Sequence, residues 1–228
     1  DRYTTGDVPA ARAHAGRAVA SYRAHHPGDP GLPAALAVLA NVELRQGEWT
    51  AMLATSRESL AVARALRVSD YRLVPLLRRA GEIHAFVDHV AEADALLREA
   101  VAVSERVNGP RHPATVGVQR ALLRHLLWTS RLDEAEALVT TVREAERAEG
   151  GRDAGTTGET WRTLVELHLN RGDLPAWLAA GDAAITELGT PAPARFRAAA
   201  VLAMRAHARL AAGLTEAAAD DIAQARGI

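Results

Sequence analysis

The sequence predicts an all-helical protein built from repeated helix-turn-helix units. Short turn motifs recur along the 228 residues, and their starts lie 41, 41, 42, 42 and 41 positions apart. Apolar residues make up 48% of the chain, mostly Ala, Leu and Val, while aromatic residues are only 4%, which favours closely packed helices over sheets. The motifs begin at Gly6, Gly47, Asp88, Ser130, Gly172 and Gly213.

Each motif starts with a small or polar residue that can end a helix, and two positions later the next helical pattern begins, as in Gly47-Glu48-Trp49. Small residues then follow at fixed offsets, which indicates places where two helices approach closely. These residues are Ala11, Ala18, Ala93, Ala100, Ala135, Ala184, Ala218 and Ala225. The bulky Met52 and Trp177 stand at the same position in two of the units.

The helical patterns and the Gly- and Pro-containing connections divide each unit into two helices. First helices are predicted near 33–46, 71–87, 114–129, 157–171 and 192–212. Second helices are predicted near 8–24, 49–67, 90–106, 132–148, 174–188 and 214–226. The connections fall at 27–33, 108–113, 150–158 and 189–193.

Charge and composition exclude several classes of function. Lys plus Arg is 27 against 28 for Asp plus Glu, so the chain lacks the basic field typical of nucleic-acid binding. Without cysteine, neither disulfides nor Cys-based metal sites are possible. The chain also lacks lysine, which is typical of very GC-rich bacterial genomes. No apolar run is long enough for a membrane span and no signal peptide is evident, so we expect a soluble, cytoplasmic protein.

The residues at several repeat positions resemble those of tetratricopeptide repeats. The ordinary unit of that family has about 34 residues. The longer period, together with the segment 107–115 between units, is similar to the repeats of kinesin light chains and many bacterial regulators. The residues that carry the resemblance are Gly81, Ala93, Ala100, Trp161, Leu164, Gly172, Leu174 and Ala184.

The resemblance implies a right-handed α-solenoid, a superhelix of about five and a half repeats in one domain over residues 1–228. Only Asp1 to Thr5 precede the first turn motif, where a whole first helix is expected, so we predict a piece of a longer protein. The predicted units are 1–30, 31–70, 71–113, 114–156, 157–191 and 192–228.

Two segments contain residue types that could support chemistry. The glycine-rich segment 150–158 could cradle phosphate, but it lacks the P-loop lysine and a preceding strand, so we interpret it as a connection between repeats. His84, Asp88, His89 and Glu92 could share a metal ion. Because His84 falls on a buried helix position and His89 in a turn, we do not expect them to converge. We therefore predict no catalytic residue, no cofactor and no metal.

The resemblance also implies a concave face lined by first-helix residues, and arginine dominates its middle. Guanidinium groups recognise carboxylates, so this face suits an acidic or C-terminal peptide with one bulky apolar side chain. The alternative is that these arginines only solvate the helices and pair with nearby glutamates. The candidate binding residues are Asn41, Arg45, Arg78, Arg79, Glu82, Arg120, Arg124, Trp128, Arg162, Glu166, Asn170, Met204 and His207.

The function predicted from this pattern is a scaffold that binds a protein or peptide, as the interaction or sensor arm of a bacterial regulatory protein. We expect no nucleic acid and no membrane as partners. One alternative is a structural module that self-associates through its end repeats. Another is a small-molecule sensor or enzyme with a pocket near Trp128 or Trp161.

Overall fold

The computed structural model describes residues 8–148, 154–188 and 195–227, and its regular elements in these ranges are all helices. The predicted all-helical repeat fold is therefore confirmed. The described helices are α1 (Val8–His25), α2 (Leu32–Gln46), α3 (Trp49–Ala65), α4 (Asp70–Phe86), α5 (Val90–Asn108), α6 (Pro113–Trp128), α7 (Leu132–Ala148), α8 (Ala154–Arg171), α9 (Leu174–Leu188), α10 (Arg195–Ala211) and α11 (Thr215–Arg226).

The turns repeat in backbone conformation as well as in sequence. In each of the five described turns the first motif residue has a left-handed backbone, which ends one helix and redirects the chain into the next. Two of these residues are not glycine, although glycine adopts this conformation at the lowest cost. The φ angles are 73° at Gly47, 60° at Asp88, 56° at Ser130, 69° at Gly172 and 77° at Gly213. The Gly6 turn lies outside the described residues.

Helix α8 begins earlier than the sequence predicts. Residues 154–158 belong to its first turns, whereas the glycine-rich segment 150–158 was expected to be a connection. Gly155 and Gly158 each weaken a helix by about 1 kcal/mol relative to alanine, which is too little to stop one that packs against its neighbours. Residues 149–153 and the predicted connection at 189–193 lie outside the described residues.

The helices group into two compact units, residues Asp1–Pro110 and Arg111–Ile228. Within the first unit each helix from α1 to α5 packs against the next, and α2 also contacts α4. Within the second unit the same holds from α6 to α11, and α8 contacts both α6 and α10. First helices of adjacent repeats therefore lie side by side in each unit.

Small residues allow the close helix contacts that the sequence predicts. Ala93, Ala100, Ala135, Ala184 and Ala218 are completely buried. Ala18 differs, because it is exposed, and Ala225 is half-buried. The bulky Met52 and Trp177 are buried at the equivalent positions, so these two units accommodate a larger side chain there.

Candidate functional site

An open groove of about 450 Å³ lies between α2 and α4 of the first unit. Both helices are first helices of their repeats, which is where the sequence predicts the binding face. The lining residues are Pro30, Gly31, Ala34, Ala37, Val38, Asn41, Val68, Tyr71, Arg72, Pro75, Leu76, Arg78 and Arg79. The predicted residues Asn41, Arg78 and Arg79 are therefore brought together in one groove.

One end of the groove is apolar and open to solvent. Ala34 and Val38 stand one helical turn apart on α2, as do Tyr71 and Pro75 on α4. Val38 is 50% exposed and Tyr71 71% exposed, so two large apolar surfaces face water without a partner among the described residues. Pro75 lies inside α4 and has no N–H, so the carbonyl oxygen of Tyr71 loses its usual helical donor.

The other end of the groove is crossed by a hydrogen-bonded bridge. Arg79 donates from Nε to the side-chain oxygen of Asn41, which joins α4 to α2. Glu82 accepts from Nη1 of Arg78 at 2.8 Å and from Nη1 of Arg79 at 3.3 Å. We call Asn41, Arg78, Arg79 and Glu82 the crossbar. These arginines are partly engaged within the protein, as the alternative interpretation of the concave face expects.

The groove nevertheless has an excess of positive charge. Arg72 also lines it and is exposed, and none of the described carboxylates forms an ion pair with it. The guanidinium groups of Arg72, Arg78 and Arg79 face two carboxylates beside the groove, those of Glu82 and, at the other end, Asp29, whose Oδ1 accepts from the N–H of Gly31 at 2.6 Å. One positive charge is therefore in excess. A ligand with acidic groups would complement this surface.

Two exposed aromatic rings stand beyond the crossbar. Phe86 ends α4, and Trp49 begins α3. Their ring centroids are 5.2 Å apart, although Trp49 is 46% exposed and Phe86 61% exposed. Phe86 follows Glu82 by four residues, and Arg45, another predicted residue, follows Asn41 by four, so each continues the face of its helix past the crossbar.

The apolar part of this site was missed by sequence reasoning, which selected polar first-helix positions. A signal was present, because Tyr71, Pro75, Arg79 and Glu82 follow one another at steps of three or four residues on the predicted face of one helix. Apolar residues on the face expected to be open should have been included.

In the second unit the predicted residues on α6 have different surroundings. The side chain of Arg120 is only 14% exposed, and its Nη1 lies 3.5 Å from Oε1 of Glu146. Burial raises the pKa of Glu146, while a hydrogen bond from Thr160 and the charge of Arg120 act against the rise. Trp128 is 76% exposed, and Arg124 is also exposed one turn before it. Trp128 thus remains available as an apolar anchor, whereas Arg120 belongs to a buried ion pair.

The remaining predicted residues lie on α8 and α10. Arg162 donates to Glu166 at 3.2 Å, one helical turn away. Asn170 is exposed near the end of α8. The ring of His207 lies tilted against that of Trp177, with ring centroids 5.6 Å apart, and Met204 packs against the core cluster that contains Trp177.

Trp161 is not available to a ligand. It is buried in the second-unit core, and the guanidinium carbon of Arg143 lies 3.4 Å from the centroid of its ring. Burial lowers the pKa of Arg143, and Glu187 opposes this through its negative charge and a hydrogen bond of 3.0 Å. A small-molecule pocket at Trp161 would have to displace this cation–π contact.

The rings of His84 and His89 lie together, contrary to the sequence-based expectation. Their centroids are 5.4 Å apart, because the tight turn after α4 folds His89 back over the helix end. Burial lowers the pKa of His84, and Arg57 and His89 add to the effect. The part of the chain that the structure describes contains no group of three or more His, Asp or Glu residues suited to a metal ion.

Comparison with known proteins agrees with the repeat architecture. Residues 81–114 match the tetratricopeptide repeat family. The structure of BtubC (BKLC) from P. vanneervenii superposes with a TM-score of 0.82 at 16% identity, covering 96% of this chain and 90% of that one. TPR-like repeats assigned to a kinesin light chain of Podosopora anserina give 0.75 at 17% identity, covering 87% of this chain and 95% of that one.

The chain has the fold of tetratricopeptide-repeat proteins. The resemblance to the long repeats of kinesin light chains, predicted from the residues, is thereby confirmed. No curated protein matches the sequence. The matched segment runs from Gly81 in α4 through α5 to the start of α6. None of the described helices is long and apolar enough to cross a membrane.

Proposed function

We propose that this chain is a binding module for a protein segment, and that the segment is an acidic peptide with bulky apolar side chains. The observation that carries the proposal is the groove between α2 and α4. It combines exposed apolar surface at Val38 and Tyr71 with an excess of positive charge. Apolar contacts there would supply affinity, and the arginines would select carboxylates.

The shape of the groove favours a peptide over a small molecule. Small-molecule sites usually enclose most of the ligand. This groove is open along two helices, and side chains as exposed as Tyr71 cannot enclose a ligand.

We further propose the role predicted from the sequence, an interaction arm of a larger bacterial regulatory protein. Tetratricopeptide repeats commonly mediate protein–protein interaction, and the absence of lysine supports a GC-rich bacterial source. A structural module that self-associates through its end repeats is the main alternative. Size-exclusion chromatography over a range of concentrations separates the two, since only self-association makes the apparent size depend on concentration.

A direct test is to select binders from a random peptide library displayed on phage. We expect the selected peptides to be rich in Asp or Glu and to contain large apolar residues. Charge reversal of the exposed groove residue, Arg72→Glu, should weaken their binding by about tenfold, with a stronger effect at low salt.

The matched control is Arg111→Glu, which makes the same charge change on an exposed arginine outside the groove. It should leave binding unchanged. Selection of basic peptides, selection of none, or equal loss of binding in the two variants would contradict the proposal.

A further inference from the structure

Asn108, the last residue of α5, is followed by a glycine. The chain has three asparagines, and the residues that follow the other two, Asn41 and Asn170, are valine and arginine. The side-chain amide of asparagine reacts with the backbone nitrogen of the next residue most readily when that residue is glycine, because no Cβ atom hinders the approach. Among the three asparagines, Asn108 is therefore the one set up for this reaction.

We propose that Asn108 is a site of spontaneous deamidation, and that the last turn of α5 sets the rate of the reaction. The backbone nitrogen of Gly109 loses its proton to solvent and attacks Cγ of Asn108. The new C–N bond closes a succinimide ring, and the side-chain nitrogen takes up a proton from water and leaves as ammonia. Water then adds to one of the two ring carbonyls, and the ring opens to aspartate or to isoaspartate. One water is consumed, one ammonia is released, and no atom changes its oxidation state.

Two hydrogen bonds hold Asn108 back from this reaction. The backbone N–H of Gly109 donates to the carbonyl oxygen of Glu105 at 2.9 Å. The side-chain Nδ2 of Asn108 donates to Oγ of Ser104 at 3.2 Å. Ring closure requires both groups to be released and Asn108 to leave its helical backbone conformation. The reaction therefore proceeds through the fraction of molecules in which the last turn of α5 is open.

The position of Asn108 makes this opening inexpensive compared with opening inside a helix. Gly109 has a left-handed φ of 90°, so α5 does not continue past Asn108, and both residues are half-buried. Helix ends open at a small free energy, whereas helix interiors open only together with the structure around them. Asn41, in contrast, lies inside α2, and its side-chain oxygen accepts from Arg79.

Deamidation changes the end of α5 in two ways. A carboxylate at position 108 stands near the negative end of the helix dipole and one turn after Glu105, and both interactions are unfavourable. Isoaspartate also lengthens the main chain by one carbon atom directly before the left-handed Gly109. We therefore expect the last turn of α5 to open more often after the reaction than before it.

The test is to incubate the full folded chain in ¹⁸O-water at mildly alkaline pH and to map its peptides by mass spectrometry. Incorporated ¹⁸O marks the amides that were lost during the incubation. We expect label at position 108 well before positions 41 and 170. Label that appears at position 41 or 170 as early as at 108, or no label at 108 in the folded chain, would overturn the proposal.

A variant tests the part played by the last turn of α5. Ser104→Ala removes the acceptor of the Asn108 side chain, and the loss of one hydrogen bond should raise the rate about two- to tenfold. Ser56→Ala, at another buried serine on α3, is the matched control and should leave the rate unchanged. Far-ultraviolet circular dichroism checks that both variants are folded. Equal rates in the two variants would show that this hydrogen bond does not protect Asn108.

The chain unfolded in urea separates the effect of the helix from that of the Asn-Gly sequence. Without α5 the rate at Asn108 should rise at least about tenfold, because the reactive conformation is no longer limited to a minor open fraction. Equal rates in the folded and the unfolded chain would overturn the role of the helix.

Discussion

Gly81 of α4 lies so close to Leu97 of α5 that a Cβ atom on Gly81 would be 2.7 Å from the Cγ atom of Leu97. Among the glycines described in the first unit, only Gly31 would place a Cβ atom closer to a neighbour, at 2.6 Å from the hydroxyl oxygen of Tyr22, and Gly31 lies in a turn. Since neighbouring helices of a repeat protein depend on such contacts for their stability, Gly81 sets the distance between the two helices of its repeat.

Substitution of Gly81 by alanine should therefore destabilise the first unit. We expect Gly81→Ala to lower the free energy of unfolding by about 1–3 kcal/mol, because overpacking outweighs the better helix propensity of alanine. Gly16→Ala is the control, since a Cβ there meets nothing within 4 Å, and it should stabilise the protein slightly. Urea denaturation measures both. Equal stabilisation by the two substitutions would show that the helices separate without cost.

The buried ion pair of Arg205 and Asp221 should dominate the stability of the last repeat. Asp221 on α11 is fully buried and accepts two hydrogen bonds from Arg205 on α10, one from Nη2 at 2.5 Å and one from Nε at 3.0 Å. Asp221→Ala leaves the buried guanidinium of Arg205 with the exposed Asp182 as its remaining acidic partner among the described residues, and it also removes a partner of Arg209 at 2.8 Å. We therefore expect a loss of about 3–5 kcal/mol in thermal or urea unfolding. The neighbouring exposed residue provides the control, Asp220→Ala, which should cost less than about 0.5 kcal/mol.

The buried His84 should make the stability of the first unit depend on pH. Burial lowers the pKa of His84 below the ordinary value of 6.5, and Arg57 and His89 act in the same direction, while Glu92 opposes them. The unfolded chain then binds more protons than the folded one below about pH 6.5, so the free energy of unfolding falls as the pH falls, by at most about 1.4 kcal/mol per pH unit for one proton.

Urea denaturation at about pH 7.5 and about pH 5.5 measures this effect. His84→Phe should remove most of the loss at the lower pH, whereas the control His26→Gln, at an exposed position, should keep it. An unchanged pH dependence in His84→Phe would show that another group causes the loss.

A carboxylate at position 41 should weaken peptide binding without weakening the fold. Asn41→Asp would strengthen the bridge to Arg79 into a charge-assisted pair and cancel the excess positive charge of the groove. We expect the affinity for selected acidic peptides to fall about three- to tenfold, and the free energy of unfolding to stay the same or rise. Gln224→Glu introduces the same charge in α11 and serves as the control. If Asn41→Asp and Gln224→Glu bound the selected peptides with similar affinity, the peptide would have to bind outside the groove.

Most of the fold could be predicted because the repeat determines it locally. The turn spacing located the left-handed residues Gly47, Asp88, Ser130, Gly172 and Gly213 in advance. Such short-range signals are read directly from sequence. The start of α8 was misplaced, since propensity alone does not show when packing extends a helix through glycines.

The candidate site was predictable only in part. The resemblance to tetratricopeptide repeats placed Asn41, Arg78 and Arg79 on the face of the first helices, where they do line the groove. The burial of Arg120 beside Glu146 could not be predicted in the same way, because the partner comes from another helix at a separation that depends on packing. The contact between Trp49 and Phe86 likewise joins two repeats and depends on how closely they stack.

Binding of the peptide to the face between α2 and α4 can be measured by a backbone-amide chemical-shift titration of the ¹⁵N-labelled chain with a phage-selected acidic peptide. We predict that the largest shifts cluster at groove and crossbar residues, Val38, Asn41, Tyr71, Arg72 and Arg79. Saturable shifts confined to the second unit, or to α5, would contradict the account.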